Sequence, residues 1–212
     1  MLSAKNRSLV LSLLEKEYSN TTTALVFKTP FQLLVSTMLA AQSTDVQVNK
    51  ITGPLYQKYP DALAFAGLDA TDLESEIKSV GLFRNKAKNI VAMSRELKEK
   101  FNGEVPKTRE QLEALPGVGR KTANVVLSVG FNIPAFAVDT HVFRVSNRIG
   151  LAKANDVRKT EEQLMKRIPR EKWGEAHHWL IWHGRKICKA QNPLCDACTI
   201  VAYCEEGKRR RQ

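Results

Sequence analysis

Apolar residues recur at intervals of three and four along most of this sequence, which is the spacing of one face of an α-helix. Examples are the stripes formed by Leu9, Val10, Leu13 and Leu14, by Leu73, Ile77 and Val80, and by Ala87, Ile90, Val91 and Leu97. No run of alternating β-branched residues is long enough to predict a sheet. The pattern therefore predicts an all-α fold of about ten helices.

Residues that begin and end helices punctuate this pattern. Pro30 precedes an apolar segment and suits the first position of a helix. Asp45 is predicted to cap the helix that follows it, and Thr108 with Gln111 has the spacing of a capping box. Glycine and proline together, as at Gly53-Pro54, predict the end of a helix.

The chain carries a strong excess of positive charge. Its 212 residues include 33 Lys and Arg against 22 Asp and Glu, a formal net charge of +11, and 43% of them are hydrophobic. Such a surplus attracts polyanions such as nucleic acid, although basic residues can also simply solubilise a surface. The short basic tail at 208–211 is expected to be a disordered, solvated end.

No segment predicts secretion or membrane insertion. Residues 1–18 mix charged side chains among their leucines, unlike a signal peptide. No apolar run approaches the roughly 20 residues that a membrane-spanning helix needs. We expect a soluble intracellular protein that resides in the cytoplasm and does not bind membranes.

The most informative local motif is a glycine turn at 115–121, Leu-Pro-Gly-Val-Gly-Arg-Lys. Gly117 and Gly119 flank one apolar residue, Val118, and a helix is predicted directly behind them. Unpaired amides at a helix N-terminus and the helix dipole both favour an anion. The turn lacks the long glycine loop and the Lys-Ser/Thr pair of a nucleotide-binding P-loop. It therefore predicts a clamp for a nucleic-acid backbone.

Four cysteines lie near the C-terminal end of the chain with a C-x6-C-x2-C-x5-C spacing. They are Cys188, Cys195, Cys198 and Cys204. Disulfides are not expected in a chain without a secretory signal, so the cysteines predict a metal site. Structural zinc more often shows two close pairs, whereas four thiolates on one short loop also suit an iron–sulfur cluster. The spacing favours the cluster and leaves zinc open.

Several motifs together resemble the endonuclease III family, the DNA glycosylases with AP-lyase activity that act in base-excision repair. The resemblance rests on the cysteine spacing, the LPGVGRKTA turn and the VDTHVFRVSNR segment. The segments LAAQSTD, VGLF and HHWLIWHG are also similar to that family. These motifs agree in order and spacing, and the resemblance covers essentially the whole chain.

This resemblance implies a two-lobed helical fold and one [4Fe–4S] cluster per chain, held by the four cysteines. A helical-barrel domain at 22–132 would contain a helix–hairpin–helix motif at 108–130. Residues 1–21 and 133–212 would form an iron–sulfur cluster domain. The implied partner is double-stranded DNA with damaged pyrimidines or abasic sites, bound by a monomer that is associated with the nucleoid.

The resemblance also assigns catalysis to Lys121 and Asp139. Lys121 matches the family's nucleophile, which attacks C1′ of the damaged nucleotide and leaves a Schiff base that undergoes β-elimination. A free lysine amine, with a pKa of ~10.4, is neutral in only about one molecule in 2,500 at pH 7, so the attack requires activation. Asp139 would accept a proton and stabilise positive charge on the sugar. Locally, Asp139 also suits the N-cap of a helix at 140–148.

Further residues are expected to contact DNA. An enzyme that acts on a base must extrude it from the duplex, and by resemblance Gln42 and Leu82 fill the vacated stack. Without the resemblance, Gln42 would be interpreted as a solvated helix end and Leu82 as a core residue. The other expected DNA contacts are Gly117, Val118, Gly119, Arg120, His141, Arg185 and Lys189.

Two alternative functions stay open at this point. A monofunctional adenine or mismatch glycosylase would share the fold, but such relatives typically lack the lysine found at 121, and adenine glycosylases carry a further C-terminal domain that is not expected here. A non-catalytic DNA-binding module with a redox-sensing cluster would need only the hairpin and the basic surface. Lys121 and Asp139 favour the bifunctional glycosylase, which removes oxidised pyrimidines and cleaves the strand.

Overall fold

The computed structural model describes residues 1–210, and within them it contains twelve α-helices and no strand. The helices are α1 (Ala4–Tyr18), α2 (Pro30–Ala40), α3 (Asp45–Lys58), α4 (Ala62–Ala66), α5 (Ala70–Ile77), α6 (Phe83–Phe101), α7 (Arg109–Glu113), α8 (Arg120–Val125), α9 (Thr140–Ile149), α10 (Val157–Arg167), α11 (Trp173–Lys186) and α12 (Glu205–Arg210). A π-helical turn, Val126–Gly130, continues α8, and two 3-10 turns flank α11 in the chain, at Arg170–Lys172 and Cys195–Ala197. The prediction of an all-helical fold is confirmed. None of the helices in this described range is long and apolar enough to cross a bilayer.

The chain folds into two compact units. The first, here called the hairpin unit, is Thr23–Ile133. The second, here called the cysteine unit, combines Met1–Thr22 with the chain from Pro134 onward. The cysteine unit is therefore discontinuous in sequence, because the hairpin unit is inserted between its first helix and the rest of it.

Helix α2 lies at the centre of the hairpin unit. Nine of its eleven residues are buried, which explains why its sequence is apolar on every side. Pro30 occupies its first turn as predicted, and the N-cap Thr29 accepts a hydrogen bond from the amide of Gln32 at 3.2 Å. Helices α4 and α5 pack against the long helix α6. Fully buried core residues of this unit include Leu33, Leu34, Leu39, Phe65, Leu73, Ile77, Ile90 and Met93.

Two predictions about α3 are wrong. Thr44 is the N-cap, with its hydroxyl accepting from the amide of Gln47 at 3.2 Å, whereas Asp45 is the first residue of the helix. The helix also runs through Gly53-Pro54 to its end instead of stopping there. Proline removes one backbone hydrogen bond from a helix interior. The buried side chains Thr52 and Leu55 hold α3 in place on both sides of the proline, so packing outweighs this loss.

The cysteine unit is built around α9 and α11. Helix α11 packs against α1 and α9, and α9 also contacts α10 and α12. The shared core includes Val10, Leu14, Tyr18, Phe136, Val142, Val145, Leu164, Trp179 and Leu180. Helix α9 thus packs against three of the other helices of this unit.

The expected disorder of the basic tail is wrong for the part of it that the structure describes. Helix α12 ends at Arg210, and Arg211 lies outside the described residues. Glu206 accepts hydrogen bonds from Arg209 and Arg210, three and four residues further along the same helix. Acidic residues in the first turn and basic residues in the last turn also match the helix dipole.

Candidate functional site

The glycine turn joins α7 to α8 and forms a helix–hairpin–helix. Thr108 caps α7, with its hydroxyl accepting from the amide of Gln111 at 3.3 Å. The turn itself is closed by a hydrogen bond from the amide of Val118 to the carbonyl of Leu115 at 3.1 Å. Helix α8 then begins directly behind the second glycine, Gly119, as the sequence predicts.

The two glycines of the turn serve different purposes. Gly117 has a φ of +74°, and a Cβ there would lie 2.7 Å from the Cβ of Asn89 on α6, so a side chain at this position would be strained. Gly119 has an ordinary φ of −93°, and no atom lies within 4 Å of where its Cβ would be. It is the N-cap of α8 and has no side chain to cap the first turn. The start of α8 is therefore open to an approaching anion.

The two basic residues that open α8 differ in their surroundings. The guanidinium of Arg120 lies 3.7 Å from the carboxylate of Glu113, and its side chain is half-buried. The side chain of Lys121 is exposed. Ala123 and Val125 in the following turn are buried and anchor the helix. The structure thus presents the Lys121 amine at the surface, one turn or less from the open glycine.

Gln42 and Leu82 share an unusual backbone. Both have a φ of +57°, in the left-handed region, which costs a non-glycine residue about 1–2 kcal/mol. Both side chains are exposed, and Leu82 is 59% accessible, so it is not a core residue. An unfavourable backbone conformation is thus kept at two loop positions whose side chains are exposed. Such strained backbone is common at functional sites.

A hollow of about 170 Å³ lies between Leu82 and the glycine turn. Its lining combines apolar side chains with two asparagines and one lysine of α6. The residues are Met38, Ala41, Leu82, Asn85, Lys86, Asn89 and Gly117. Helix α6 therefore contributes three of the lining residues, Asn85, Lys86 and Asn89, to the hollow.

Asp139 begins α9 in the cysteine unit. One of its carboxylate oxygens, Oδ1, accepts a hydrogen bond from the amide of Val142 at 2.8 Å, so the predicted N-cap is confirmed. Burial lowers the pKa of the nearby His141, the charge of Asp139 opposes this shift, and the charges of Arg144 and Arg185 add to it. The surroundings of His141 therefore favour its neutral form.

The four cysteines line one cavity of the cysteine unit. Cys188 follows α11, Cys195 and Cys198 bound a 3-10 turn, and Cys204 precedes α12. Burial raises the pKa of the Cys198 thiol to about 11 and also raises that of Cys204. Among residues 1–210, no three or more His, Cys, Asp or Glu side chains are grouped closely enough to hold a single metal ion. The thiols thus surround a shared space and do not converge on one point.

Two arginines of α9 hold the loop that begins at Cys188. Arg144 donates from Nε and Nη2 to the carbonyl oxygen of Cys188, at 3.2 and 3.0 Å. Arg148 donates to the carbonyls of Lys189 and Ala190, at 2.7 and 2.9 Å, and lies 3.7 Å from the sulfur of Cys188. The helix that Asp139 caps is therefore the same helix that fixes the cysteine loop.

Comparison with known proteins identifies the family. The family profile of the HhH-GPD superfamily base excision DNA repair proteins matches residues 35–170. An endonuclease III of Bacillus subtilis is 46% identical over 211 residues, which cover 99% of this chain and 96% of that protein. The chain belongs to the endonuclease III family. An endonuclease III of Synechocystis is 50% identical over 210 residues, covering 98% of this chain and 96% of the relative.

A solved structure agrees with this assignment to the endonuclease III family. It is a trapped endonuclease III–DNA covalent intermediate, in an estranged-adenine complex. It superposes with a TM-score of 0.95 at 46% identity and covers all of both chains. The resemblance that the sequence motifs predict is thus confirmed, together with the HhH-GPD fold.

Within this endonuclease III fold, the structure places each predicted site residue in one of the two units. The hairpin unit carries Gln42, Leu82, Gly117, Val118, Gly119, Arg120 and Lys121, and the cysteine unit carries Asp139, His141, Arg185, Lys189 and the four cysteines. Arg185 and Lys189 are exposed, as phosphate contacts require. Val118 is 5% accessible and its amide is bonded to the carbonyl of Leu115, so its side chain does not present a surface to a ligand.

Several residues that contact the predicted site residues or their loops were missed in the sequence analysis. Arg144 and Arg148 have a detectable signal, since they lie four residues apart on the helix behind Asp139. His183 is buried, with Nδ1 3.1 Å from the hydroxyl of Tyr18 and Nε2 3.6 Å from the sulfur of Cys198. Burial lowers the pKa of His183 to about 4. Lys86 was also missed. The only sequence feature that points to it is its charge on an otherwise apolar face of α6.

Proposed function

We propose that this protein is a base-excision-repair DNA glycosylase and AP lyase that removes oxidised pyrimidines from duplex DNA. The observation that carries the proposal is the exposed Lys121 amine in the first turn of α8, directly behind an open glycine turn. Membership of the endonuclease III family and the net charge of +11 support the same function. The trapped covalent intermediate of a 46% identical relative is consistent with a nucleophilic mechanism.

Lys121 is proposed as the nucleophile. Its neutral amine forms a bond to C1′ of the damaged nucleotide while the bond from C1′ to the base breaks, and the base leaves with a proton. The sugar ring then opens as the bond from C1′ to O4′ breaks, with O4′ taking a proton, and the nitrogen is left as a protonated imine. Loss of a proton from C2′ breaks the bond to the 3′ oxygen and cleaves the strand. The adjacent glycine turn would hold the phosphate backbone, so that the sugar lies within reach of the amine.

Asp139 is proposed as the proton acceptor for this chemistry. One carboxylate oxygen is engaged by the amide of Val142. That hydrogen bond fixes the orientation of the carboxylate and leaves its second oxygen to accept a proton or to stabilise positive charge on the sugar. The two proposed catalytic residues come from different units of the fold, Lys121 from the hairpin unit and Asp139 from the cysteine unit.

The DNA contacts are proposed to divide into two classes. Gln42 and Leu82 would enter the base stack when the damaged nucleotide leaves it, since both are exposed on loops with a left-handed backbone. The amides of the glycine turn and the side chains of Arg120, Arg185 and Lys189 would contact phosphates. Because phosphate contacts do not read sequence, the affinity would not depend on the base sequence of the duplex.

The four cysteines are proposed to hold a [4Fe–4S] cluster. The donor set fits, because four thiols line one shared cavity. The amide of Gly207 donates to the sulfur of Cys204 at 3.4 Å, and such hydrogen bonds stabilise thiolates. When bound, the cluster would serve as a structural crosslink that fixes the loop after α11. The cysteine unit is then an iron–sulfur domain, and the hairpin unit is the helical-barrel domain.

Covalent trapping tests the proposed function. Borohydride added during turnover on a duplex with one oxidised pyrimidine should reduce the imine to a permanent protein–DNA crosslink. Lys121→Gln keeps the approximate length and polarity of the side chain but removes the nucleophile, so crosslinking and strand cleavage should disappear while lesion binding persists. Lys98→Gln, at an exposed position of the same unit, is the matched control and should crosslink normally.

Three outcomes of this experiment would contradict the proposal. Undiminished trapping by Lys121→Gln would assign the nucleophile to another amine. Base release without any crosslink in the unmodified protein would indicate a monofunctional glycosylase. DNA binding without base release from oxidised pyrimidines, uracil or abasic duplexes would indicate a non-catalytic DNA-binding module.

A further inference from the structure

Lys86 is a lysine buried in the hairpin unit. Only 7% of it is accessible, and its neighbours on the same face of α6, Ala87 and Ile90, are fully buried. Its ammonium donates to the carbonyl oxygens of Leu39 and Ala41, at 2.7 and 2.5 Å, and lies 3.4 Å from the hydroxyl of Ser43. The three donors of one ammonium therefore meet three acceptors within five consecutive residues.

The position of this ammonium explains how α2 ends. The last carbonyls of a helix lack partners in their own helix, and a cation near that end also complements the helix dipole. Helix α2 ends at Ala40, so Leu39 and Ala41 lie on either side of its terminus. The side chain of Lys86 therefore acts as the cap of α2, and it fixes the direction in which the chain leaves the helix towards Gln42.

Lys86 also contacts the loop that carries Leu82. Its own backbone amide donates to the carbonyl oxygen of Leu82 at 3.0 Å. The hydroxyl of Ser43, which faces the Lys86 ammonium, accepts a second hydrogen bond from the amide of Gly81 at 3.3 Å. A Cβ at Gly81 would lie 3.3 Å from the carbonyl oxygen of Gln42, so the two loops touch. The amide hydrogen bond to Leu82 is the ordinary first hydrogen bond of α6 and does not depend on the side chain. The Lys86 ammonium thus holds the Gln42 loop directly and is linked to the Leu82 loop through the hydroxyl of Ser43.

Lys86 does not act as a phosphate contact. Its ammonium is engaged by acceptors within the protein, and burial removes it from the surface. Desolvation lowers the pKa of this ammonium, and the carbonyl oxygens around it offset part of that penalty. A buried ammonium suits this position because an apolar side chain would leave the carbonyl oxygens of Leu39 and Ala41 without a hydrogen-bond donor. The geometry favours a function in aligning the two loops.

We propose that Lys86 is a positioning residue that keeps Gln42 and Leu82 in register for simultaneous insertion into the base stack. The inference rests on the proposed function, because it assigns a step of the same reaction. Loss of the Lys86 ammonium should slow extrusion of a paired base. It should leave DNA binding and the chemistry of an already unstacked base largely intact, because neither depends on the relative position of the two loops.

Lys86→Met tests this proposal, since methionine keeps an unbranched side chain but donates no hydrogen bond. Single-turnover base release is measured for thymine glycol in a fully paired duplex and for the same lesion within three mismatched pairs. The variant should release the paired lesion about 10- to 100-fold more slowly than the unmodified protein, the loss expected when catalytic groups are misplaced by about 1 Å. With the mismatched lesion, the rate should fall by no more than about threefold, because unstacking is already complete.

Two further variants make the result decisive. Lys88→Met changes an exposed lysine two residues along α6 and should match the unmodified protein on both substrates. Ser43→Ala removes the shared hydroxyl without exposing a buried carbonyl, and it should show the same substrate pattern with a smaller loss. If circular dichroism shows that Lys86→Met does not fold, the ratio of the two rates of Ser43→Ala tests the proposal by itself. Equal losses on the two substrates, or no loss on the paired one, would overturn the proposal.

The same experiment separates this proposal from the function on which it rests. If the unmodified protein releases base from neither substrate, the proposed glycosylase activity is wrong. If it releases base from both and the variants alter the two rates alike, only the assignment of Lys86 is wrong.

Discussion

Asp139 and Val142 are joined by a 2.8 Å hydrogen bond from the valine amide to one oxygen of the aspartate carboxylate. This contact gives Asp139 a structural role as the N-cap of α9. The proposed catalytic role requires the negative charge of the carboxylate, whereas capping requires only an oxygen acceptor. The two roles of one side chain can therefore be separated by substitution.

Asp139→Asn should keep the fold and lose base removal. Asparagine caps helices about as well as aspartate, so the free energy of unfolding should change by less than about 1 kcal/mol. Base release should fall by about 100-fold or more, since a carboxamide cannot accept a proton. Urea denaturation and single-turnover kinetics on the same preparation provide the two measurements. A large loss of stability with normal base release would reverse the assignment.

The glycine turn yields a prediction that separates folding from DNA binding. Gly117→Val should destabilise the protein by about 1–3 kcal/mol or more, because of its positive φ and the contact with Asn89. Gly119→Val has space for its side chain, so it should cost only the loss of a glycine N-cap, up to about 1 kcal/mol, while the affinity for any duplex falls. Thermal unfolding and binding to an undamaged duplex are measured for both. Normal DNA affinity in folded Gly119→Val would exclude the turn from the DNA face.

DNA affinity should depend steeply on salt. If the glycine turn and the cysteine loop neutralise about five phosphates, log K should fall with log salt at a slope of roughly −4 to −5. Replacing both Arg185 and Lys189 with glutamine should reduce the slope by about 2, because two phosphate contacts are lost. Fluorescence anisotropy over a range of salt concentrations measures both slopes. A slope near zero would show that the basic surface does not contact DNA.

The proposed cluster predicts a specific metal content. Protein purified without oxygen should contain iron and inorganic sulfide in equal amounts, with no stoichiometric zinc. Cys198→Ser should lose iron and destabilise the cysteine unit before it alters the chemistry, because the loop between Cys188 and Cys204 is largely exposed and has few buried apolar residues of its own. Elemental analysis and limited proteolysis follow the two effects. Stoichiometric zinc without iron would refute the cluster.

His178 should make stability depend on pH. Burial lowers its pKa to about 3, and the charge of His177, whose ring lies 5.0 Å away, adds to the shift. Since an unfolded histidine has a pKa of about 6.5, the unfolded state alone binds this proton between roughly pH 6.5 and pH 3. The free energy of unfolding should therefore decrease on acidification, by up to about 1.4 kcal/mol per pH unit from this residue.

His178→Gln provides the comparison for this pH dependence, because glutamine does not titrate. Its unfolding free energy should fall less steeply than that of the unmodified protein below pH 6.5. Denaturation curves at several pH values give both slopes. Parallel curves would show that His178 is protonated in the folded state or titrates normally.

Features set by neighbouring residues could be predicted from the sequence. The start of α2 at Pro30, the cap at Asp139 and the start of α8 behind the glycine turn are all confirmed. Each depends on dihedral preferences and hydrogen bonds within one helical turn. The family resemblance adds the site residues, because its motifs combine such short segments in a fixed order.

Features set by distant contacts could not be predicted. Pro54 stays inside α3 because buried neighbours hold the helix, and a periodicity analysis cannot weigh that packing against the lost hydrogen bond. Lys86 contacts residues more than 40 positions away in the sequence, so nothing beside it reveals its acceptors. The left-handed backbone of Leu82 likewise depends on the loop that it adjoins.

Helix α9 also links the proposed proton acceptor, Asp139, to the loop that begins at Cys188. Asp139 precedes its first turn, and Arg144 and Arg148 hold the loop that begins at Cys188. At 1.5 Å per residue, the 10 residues of α9 extend about 15 Å. One helix therefore joins Asp139 to the two arginines that hold the cysteine loop. If the cysteines hold the proposed cluster, a chain made without iron lacks the crosslink that fixes this loop. Loss of the metal would then loosen the loop at the far end of the helix that Asp139 caps.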